Sequence, residues 1–270
     1  MIPATSLDEL MIPDPTSLST WIVQSWFVLC WYAVGALGAA WMIYDAQHAN
    51  SALNPPLKAC WPIIILFFSV IGIALYLVTS RPSDIGNYGE GRPKMERFTA
   101  YSKPRWRKVV ASAIHCVGGD GLGIMTAMVA ARLLGFSFWQ EFWFEYAVGY
   151  AFGWLIFQTW AMRLQGNGWL MSLWMGGRAE FFSMITVMAG MGLAMRLLTP
   201  ALVGQPPQPD TAAFWMFGAI GLLAGFILTY PMNLWLVSIG WKHGQGHEHM
   251  LEQGESKHGS GSHTGMRAAT

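Results

Sequence analysis

Charge is scarce in this sequence. Asp, Glu, Lys and Arg make up 11% of its 270 residues, where an ordinary soluble domain carries about 25%. The deficit excludes a polar-surfaced globule. The formal net charge of +1 points to no nucleic-acid partner, since there is no surplus of basic charge to neutralise phosphates. Cysteine is scarce too. Cys30, Cys60 and Cys116 all fall in apolar segments and give no paired disulfide framework. Soluble-enzyme signatures are missing: there is no phosphate-binding Gly-Lys loop, no His-Glu-x-x-His and no nucleophile elbow. GGDGLG at 118–123 follows no strand and opens no βαβ unit, so it is no dinucleotide fingerprint. Residues 1–18 are polar and acidic, without the basic start and apolar stretch of a cleavable signal peptide.

Apolar surface is what the chain has in quantity: 53% hydrophobic residues, with 15 Trp and 17 Met. A bilayer core of ~30 Å needs about 20 mostly apolar residues as helix. Six stretches qualify, at roughly 20–44, 60–79, 109–135, 138–162, 169–198 and 213–240. Proline clusters separate several of them, at Asn54-Pro55-Pro56, Arg81-Pro82 and Gln205-Pro206-Pro207-Gln208-Pro209, because proline lacks a backbone donor and resists helix. The expected fold is all-α: one integral membrane bundle of six transmembrane helices over 1–241. A disordered tail follows over 242–270, rich in Gly, Ser and charge.

Lys and Arg in the loops orient such a bundle. Eight lie in 80–108, and with Arg163, Lys242, Lys257 and Arg267 one side receives twelve. The other side receives Lys58, Arg132 and Arg196. That bias predicts both termini in the cytoplasm. The basic loop also suits anionic lipid, though orientation alone accounts for it.

Polar groups at membrane depth are costly and often functional. Ser112, Cys116 and Asp120 recur every four residues and share one helix face, with His115 beside them. Imidazole, thiolate and carboxylate suit a borderline metal such as copper or zinc; an interhelical packing cluster is the alternative. Glu141 and Glu145 lie near the outer end of the fourth stretch beside Trp139, Trp143 and Tyr146. They read as interfacial, within an aromatic belt, with a cation vestibule as the sharper alternative. Arg178 and Glu180 are two residues apart and point in different directions, so one of them could meet Asp120 or His115. Met184, Met188, Met191 and Met195 form one helical stripe. Such a stripe is ordinary core packing, although thioethers also suit Cu(I). Pro231 removes a backbone bond to Ile227 and predicts a kink whose freed carbonyl Asn233 or Thr229 could satisfy. His243, His247, His249, His258 and His263 in the tail are candidate metal ligands.

Several motifs carry a family resemblance. Trp61-Pro62, Tyr76 and Arg81 mark the second stretch, and His115-Cys116-x-x-Gly119 opens the third. Ala179-Glu180-x-x-Ser183 and Gly190-Met191 lie in the fifth. Gly225-Phe226, Thr229-Tyr230-Pro231-Met232-Asn233-Leu234-Trp235-Leu236 and Gly240-x-Lys242 close the sixth. In these the chain resembles the bacterial membrane proteins grouped as domain of unknown function 4396. The family pattern reads His-Cys-x-x-Gly-Cys-x-x-Gly-Asp; here Asp120 stands at the second cysteine and Ile124 at the aspartate. The resemblance implies a multi-pass protein of a bacterial inner membrane and supplies no activity.

The functional expectation is handling or permeation of a soft or borderline metal ion. The alternative is a non-catalytic accessory or scaffolding subunit, partnered by other membrane subunits or by copies of itself. A membrane enzyme using a His115–Cys116 nucleophile pair ranks third, because adjacent helix positions splay about 100° apart.

Overall fold

The computed structural model describes residues 18–82 and 94–242. All regular structure among them is helical. A 3₁₀ turn, Leu18–Val23, leads into α1 (Ser25–His48) and α2 (Pro55–Thr79). Then come α3 (Lys94–Ser102), α4 (Arg105–Leu133) and α5 (Phe138–Ala151). A π-helical segment, Phe152–Gln158, joins α5 to α6 (Thr159–Leu164) in one rod; α7 (Trp169–Leu202) and α8 (Ala212–Ser238) complete the bundle. Five helices, α1, α2, α4, α7 and α8, are long and apolar enough to cross a membrane. The tail histidines His243, His247, His249, His258 and His263 lie outside the described residues.

The second stretch has the composition of a span but not its shape. Asn54 caps α2, its side chain accepting from Leu57 N at 3.1 Å, and prolines occupy the first turn, where no donor is missed. At Ser69 the torsions turn to φ 49°, ψ −123° and leave the helical region. The rings of Trp61 and Tyr76 meet 5.4 Å apart. On a straight helix residues so separated would stand about 22 Å apart. A Cβ on Gly72 would lie 2.8 Å from Ile65 Cα. Residue 61 opposite 76 and 65 opposite 72 define two antiparallel arms, 55–68 and 70–79, folded at Ser69. The single rod expected over 60–79 is therefore a helical hairpin.

Positive φ at a non-glycine residue costs about 1–3 kcal/mol, and α1 supplies the compensation. Ser69 Oγ donates to Trp31 O at 2.7 Å, and Trp31 Nε1 donates to Phe67 O at 2.8 Å. The open end of the hairpin is pinned as well. Tyr76 OH donates to Asp45 Oδ2 at 2.7 Å, and Arg81 Nε reaches both Asp45 oxygens at 3.0 Å. Asn50 Nδ2 donates to Tyr76 OH and to Ser80 O. Both ends of α2 thus lie beside the end of α1.

Five rods traverse the bundle: α1, α4, the α5–α6 rod, α7 and α8. The hairpin enters from one end and returns to it. Tyr32 OH donates to Trp215 O at 2.8 Å, which puts the start of α1 beside the start of α8. α4 is the central element and the most buried of the five membrane-length helices. Leu37, Leu155, Leu193 and Ile227 are exposed along the rods and Val70 on the hairpin, an apolar surface suited to lipid. Exposed tryptophans gather at both ends. Trp26, Trp139 and Trp143 mark the end where α1 starts, and Trp106, Trp169 and Trp235 the end where α8 stops, as in the aromatic belts of membrane proteins.

Candidate functional site

α8 ends in a turn that sends the chain back into the bundle. Gly240 takes φ 72°, a conformation glycine adopts without steric cost. Gly240 N bonds Val237 O, and Trp241 N bonds Leu236 O; together they form a Schellman cap. The next residue, Lys242, is 3% exposed. Its Nζ donates to Cys116 Sγ at 2.6 Å, Ser183 Oγ at 2.6 Å and Asn233 Oδ1 at 2.9 Å, with Glu180 Oε2 at 3.4 Å. Acceptors from α4, α7 and α8 therefore converge on one ammonium. Burial opposes its charge, but Cys116 and Glu180 outweigh that and hold the Lys242 pKa above the usual lysine value.

The surrounding polar groups are linked. Cys116 Sγ donates to Glu180 Oε2 at 3.3 Å, and Ser112 Oγ to Asn233 Oδ1 at 3.2 Å. Asn233 Nδ2 is used on its own helix, donating to Thr229 O at 3.1 Å. Its carbonyl is thereby aimed at Lys242. Thr186 Oγ1 donates to Thr229 Oγ1 at 3.0 Å, tying α7 to α8 beside the chamber.

Deeper in the bundle the π-helical segment makes room for a second carboxyl. Gly153 faces Asp120 so closely that a Cβ there would run into Asp120 Oδ1, and would lie 3.1 Å from Glu180 Oε1. Asp120 is fully buried, and neither of its oxygens has a well-formed hydrogen bond; Glu180 Oε1 and His115 Nε2 have none either. The His115 ring packs edge-on against Phe157 of the π-helical turn, a helix irregularity that is frequent at functional sites.

The sequence expectations fare unevenly. Ser112, Cys116 and Asp120 do share a buried face with His115 alongside. Glu180 is the member of its pair that meets them, whereas the Arg178 guanidinium packs over the Trp241 ring at 4.8 Å. Glu141 and Glu145 are not wet interfacial groups. Each is 7% exposed, and Arg132 Nε lies 2.9 Å from Glu141 Oε1. Met184, Met188 and Met191 are buried, with Met195 half-buried. α8 continues as helix through Pro231, and the carbonyl reached by Asn233 is that of Thr229 rather than of Ile227. Among the described residues no three His, Cys, Asp or Glu side chains converge as a metal cluster. At the chamber only Cys116 and Glu180 are of that kind, and Asn233 and Ser183 complete the set.

Lys242 is the residue that sequence reasoning missed. It stands at the start of the polar tail, and only Gly240 two residues earlier hints that the chain turns inward. Ser183 was noted for resemblance alone. The motif residues Cys116, Glu180, Ser183, Asn233 and Lys242 now meet at one point.

No curated protein and no solved structure matches the chain. The family model described as Domain of unknown function (DUF4396) matches residues 105–242, so the hairpin residues Trp61, Tyr76 and Arg81 lie outside the match. That stretch begins with α4, ends on the chamber lysine and covers just over half of the chain: the protein belongs to the DUF4396 family.

Proposed function

We propose that the protein is a multi-pass membrane protein of a bacterial inner membrane that handles a cation at this chamber. Lys242 acts as a tethered occupant that an arriving cation displaces. The observation that carries the reading is the convergence of four acceptors from three helices on one buried ammonium. Buried charges are retained when paired, and at membrane depth they mark ion pathways. Copper and zinc belong to the candidate set, since the Cys116 thiol and the Glu180 carboxyl would become ligands once the ammonium withdrew.

The test uses the full chain in mild detergent, as wild type, Lys242→Ala and Cys116→Ser. Thermal stability and bound-metal content are measured with Na⁺, Cu(I) and Zn(II). At least one cation should restore Lys242→Ala toward the wild-type midpoint, with weaker rescue when Cys116→Ser is added. Absence of rescue by every cation, with no metal bound to the wild type, refutes the reading.

The membrane arrangement proposed is five crossings and one re-entrant hairpin in place of six spans. Lys58 then joins the Lys242 side. The basic count becomes thirteen against two, with Arg178 within a helix, a sharper bias than six spans give. The Lys242 end is cytoplasmic and Leu18 lies at the opposite face, so the termini do not share a side.

A further inference from the structure

At the end of the bundle opposite Lys242 a cavity of about 500 Å³ opens between α4, α5 and α7, roofed by the α7–α8 connection at Gly204 and Pro206. Its wall joins features that the sequence kept apart: Glu141 and Glu145 of α5, and Met188, Met191 and Met195 of the α7 stripe. Met128 and Phe142 complete the apolar lining. We propose that this cavity is the outward-facing binding site for a lipophilic organic monocation.

Size, lining and charge carry the assignment. A bare metal ion needs a tight knot of ligands, whereas about 300–1,000 Å³ of mostly apolar wall with a few polar groups is the signature of a small-molecule site. Thioethers are soft and adaptable, and aromatic faces attract cations. Glu141 has Arg132 at 2.9 Å. Glu145, buried to the same degree, has no ion-pair partner of its own among the described residues. Arg196 is exposed at the rim. Two acids and two arginines thus line the cavity: Arg132 is spent on Glu141 and Arg196 is exposed, which leaves Glu145, beside Glu141, as the acid with no direct ion pair inside a soft apolar wall.

The cavity is separate from the chamber. Between them a Cβ on Gly149 would lie 2.6 Å from both Met184 Cε and Ile124 Cγ1, two fully buried side chains. Along the α5–α6 rod, Glu145 and Gly153 stand about 12 Å apart. The inference goes beyond the cation handling proposed for the chamber, and the two sites are tested by different residues.

The experiment measures binding of tetraphenylphosphonium and of its same-shaped anion, tetraphenylborate, to the detergent-purified full chain. Saturable one-to-one binding of the cation is expected. Glu145→Gln should weaken it at least tenfold, and so should Gly192→Leu. A Cβ at Gly192 meets nothing closer than Phe142 at 3.6 Å, so a larger side chain fills the cavity without striking the backbone. Equal binding of the two ions, or cation binding unchanged in both variants, overturns the proposal. So does stoichiometric silver(I) binding lost in Met188→Leu/Met191→Leu without any tetraphenylphosphonium binding, which would make the cavity a soft-metal site. Loss of binding in the cavity variants with Lys242→Ala rescue intact separates this site from the chamber; failure of that rescue alone removes only the chamber reading.

Discussion

Replacing Lys242 by Met deletes the ammonium while keeping most of the side chain's length. Glu180, 1% exposed, then keeps a buried carboxylate without its counter-ion. At the observed 3.4 Å and an effective dielectric of about 20, the lost attraction is about 5 kcal/mol. Measured losses on breaking one side of a buried pair run about 3–5 kcal/mol. For a domain of this size that corresponds to a drop of roughly 10 °C in the thermal midpoint. Glu180→Gln should cost a similar amount by orphaning the ammonium. The double variant Lys242→Met/Glu180→Gln, with neither charge present, should recover at least half of the larger single loss. The assay is thermal challenge of the detergent-solubilised full chain followed by size-exclusion detection of the folded peak. Singles that lose less than about 2 °C, or a double variant that loses the sum, would refute a mutually dependent buried pair. The pH behaviour follows from the raised Lys242 pKa. A base whose folded pKa lies above its unfolded value contributes fully below the unfolded value, near 10.5, and loses that contribution as pH rises through the folded one. The gap between wild type and Lys242→Met should therefore stay constant from neutrality to about pH 10 and close only above it.

Three further outcomes are expected. Reporter fusions at the two termini, one active only outside the cytoplasm and one only within it, should place them on opposite faces; the same side for both removes the re-entrant hairpin from the membrane arrangement. Gly153→Ala should cost about 1–3 kcal/mol, because its methyl collides with Asp120, and adding Asp120→Ala should return most of that loss in the same thermal assay. Tyr76→Phe should lower stability by about 1–3 kcal/mol, since it breaks the donor bond to Asp45 and the acceptor bond from Asn50, whereas Tyr44→Phe, on the exposed side of α1, should change the midpoint by less than a degree.

Composition was enough to read the helices and their lipid-facing character, because long apolar runs without charge have few other solutions. The polar face of α4 was legible for the same reason of periodicity: four-residue spacing holds whatever packs against it. The hairpin was not. Residues 60–79 form one unbroken apolar run, and the turn falls on a serine, with neither proline nor glycine at the break. What stabilises that turn is the indole and carbonyl of Trp31, far away in sequence. Glu141 and Glu145 were misplaced because their neighbours are tryptophans. Arg132, which closes over Glu141, belongs to the preceding helix and gives no local signal. Lys242 entered only as an orienting charge and a motif residue, because nothing in a polar stretch reveals which cation turns inward.

The hairpin holds a segment whose length would also suit a second topology. Straightened, the 25 residues of α2 would span about 37 Å, enough to cross a bilayer. Folded, neither arm is long enough to cross alone. Opening the fold at Ser69 would therefore convert a returning segment into a crossing one and invert the orientation of α1 relative to everything after it. Trp31 is the latch. Its indole holds Phe67, just before the reversal, and its carbonyl holds Ser69, the reversal itself, so the hairpin closes against α1. The first helix thus supplies the contacts that keep α2 a returning segment.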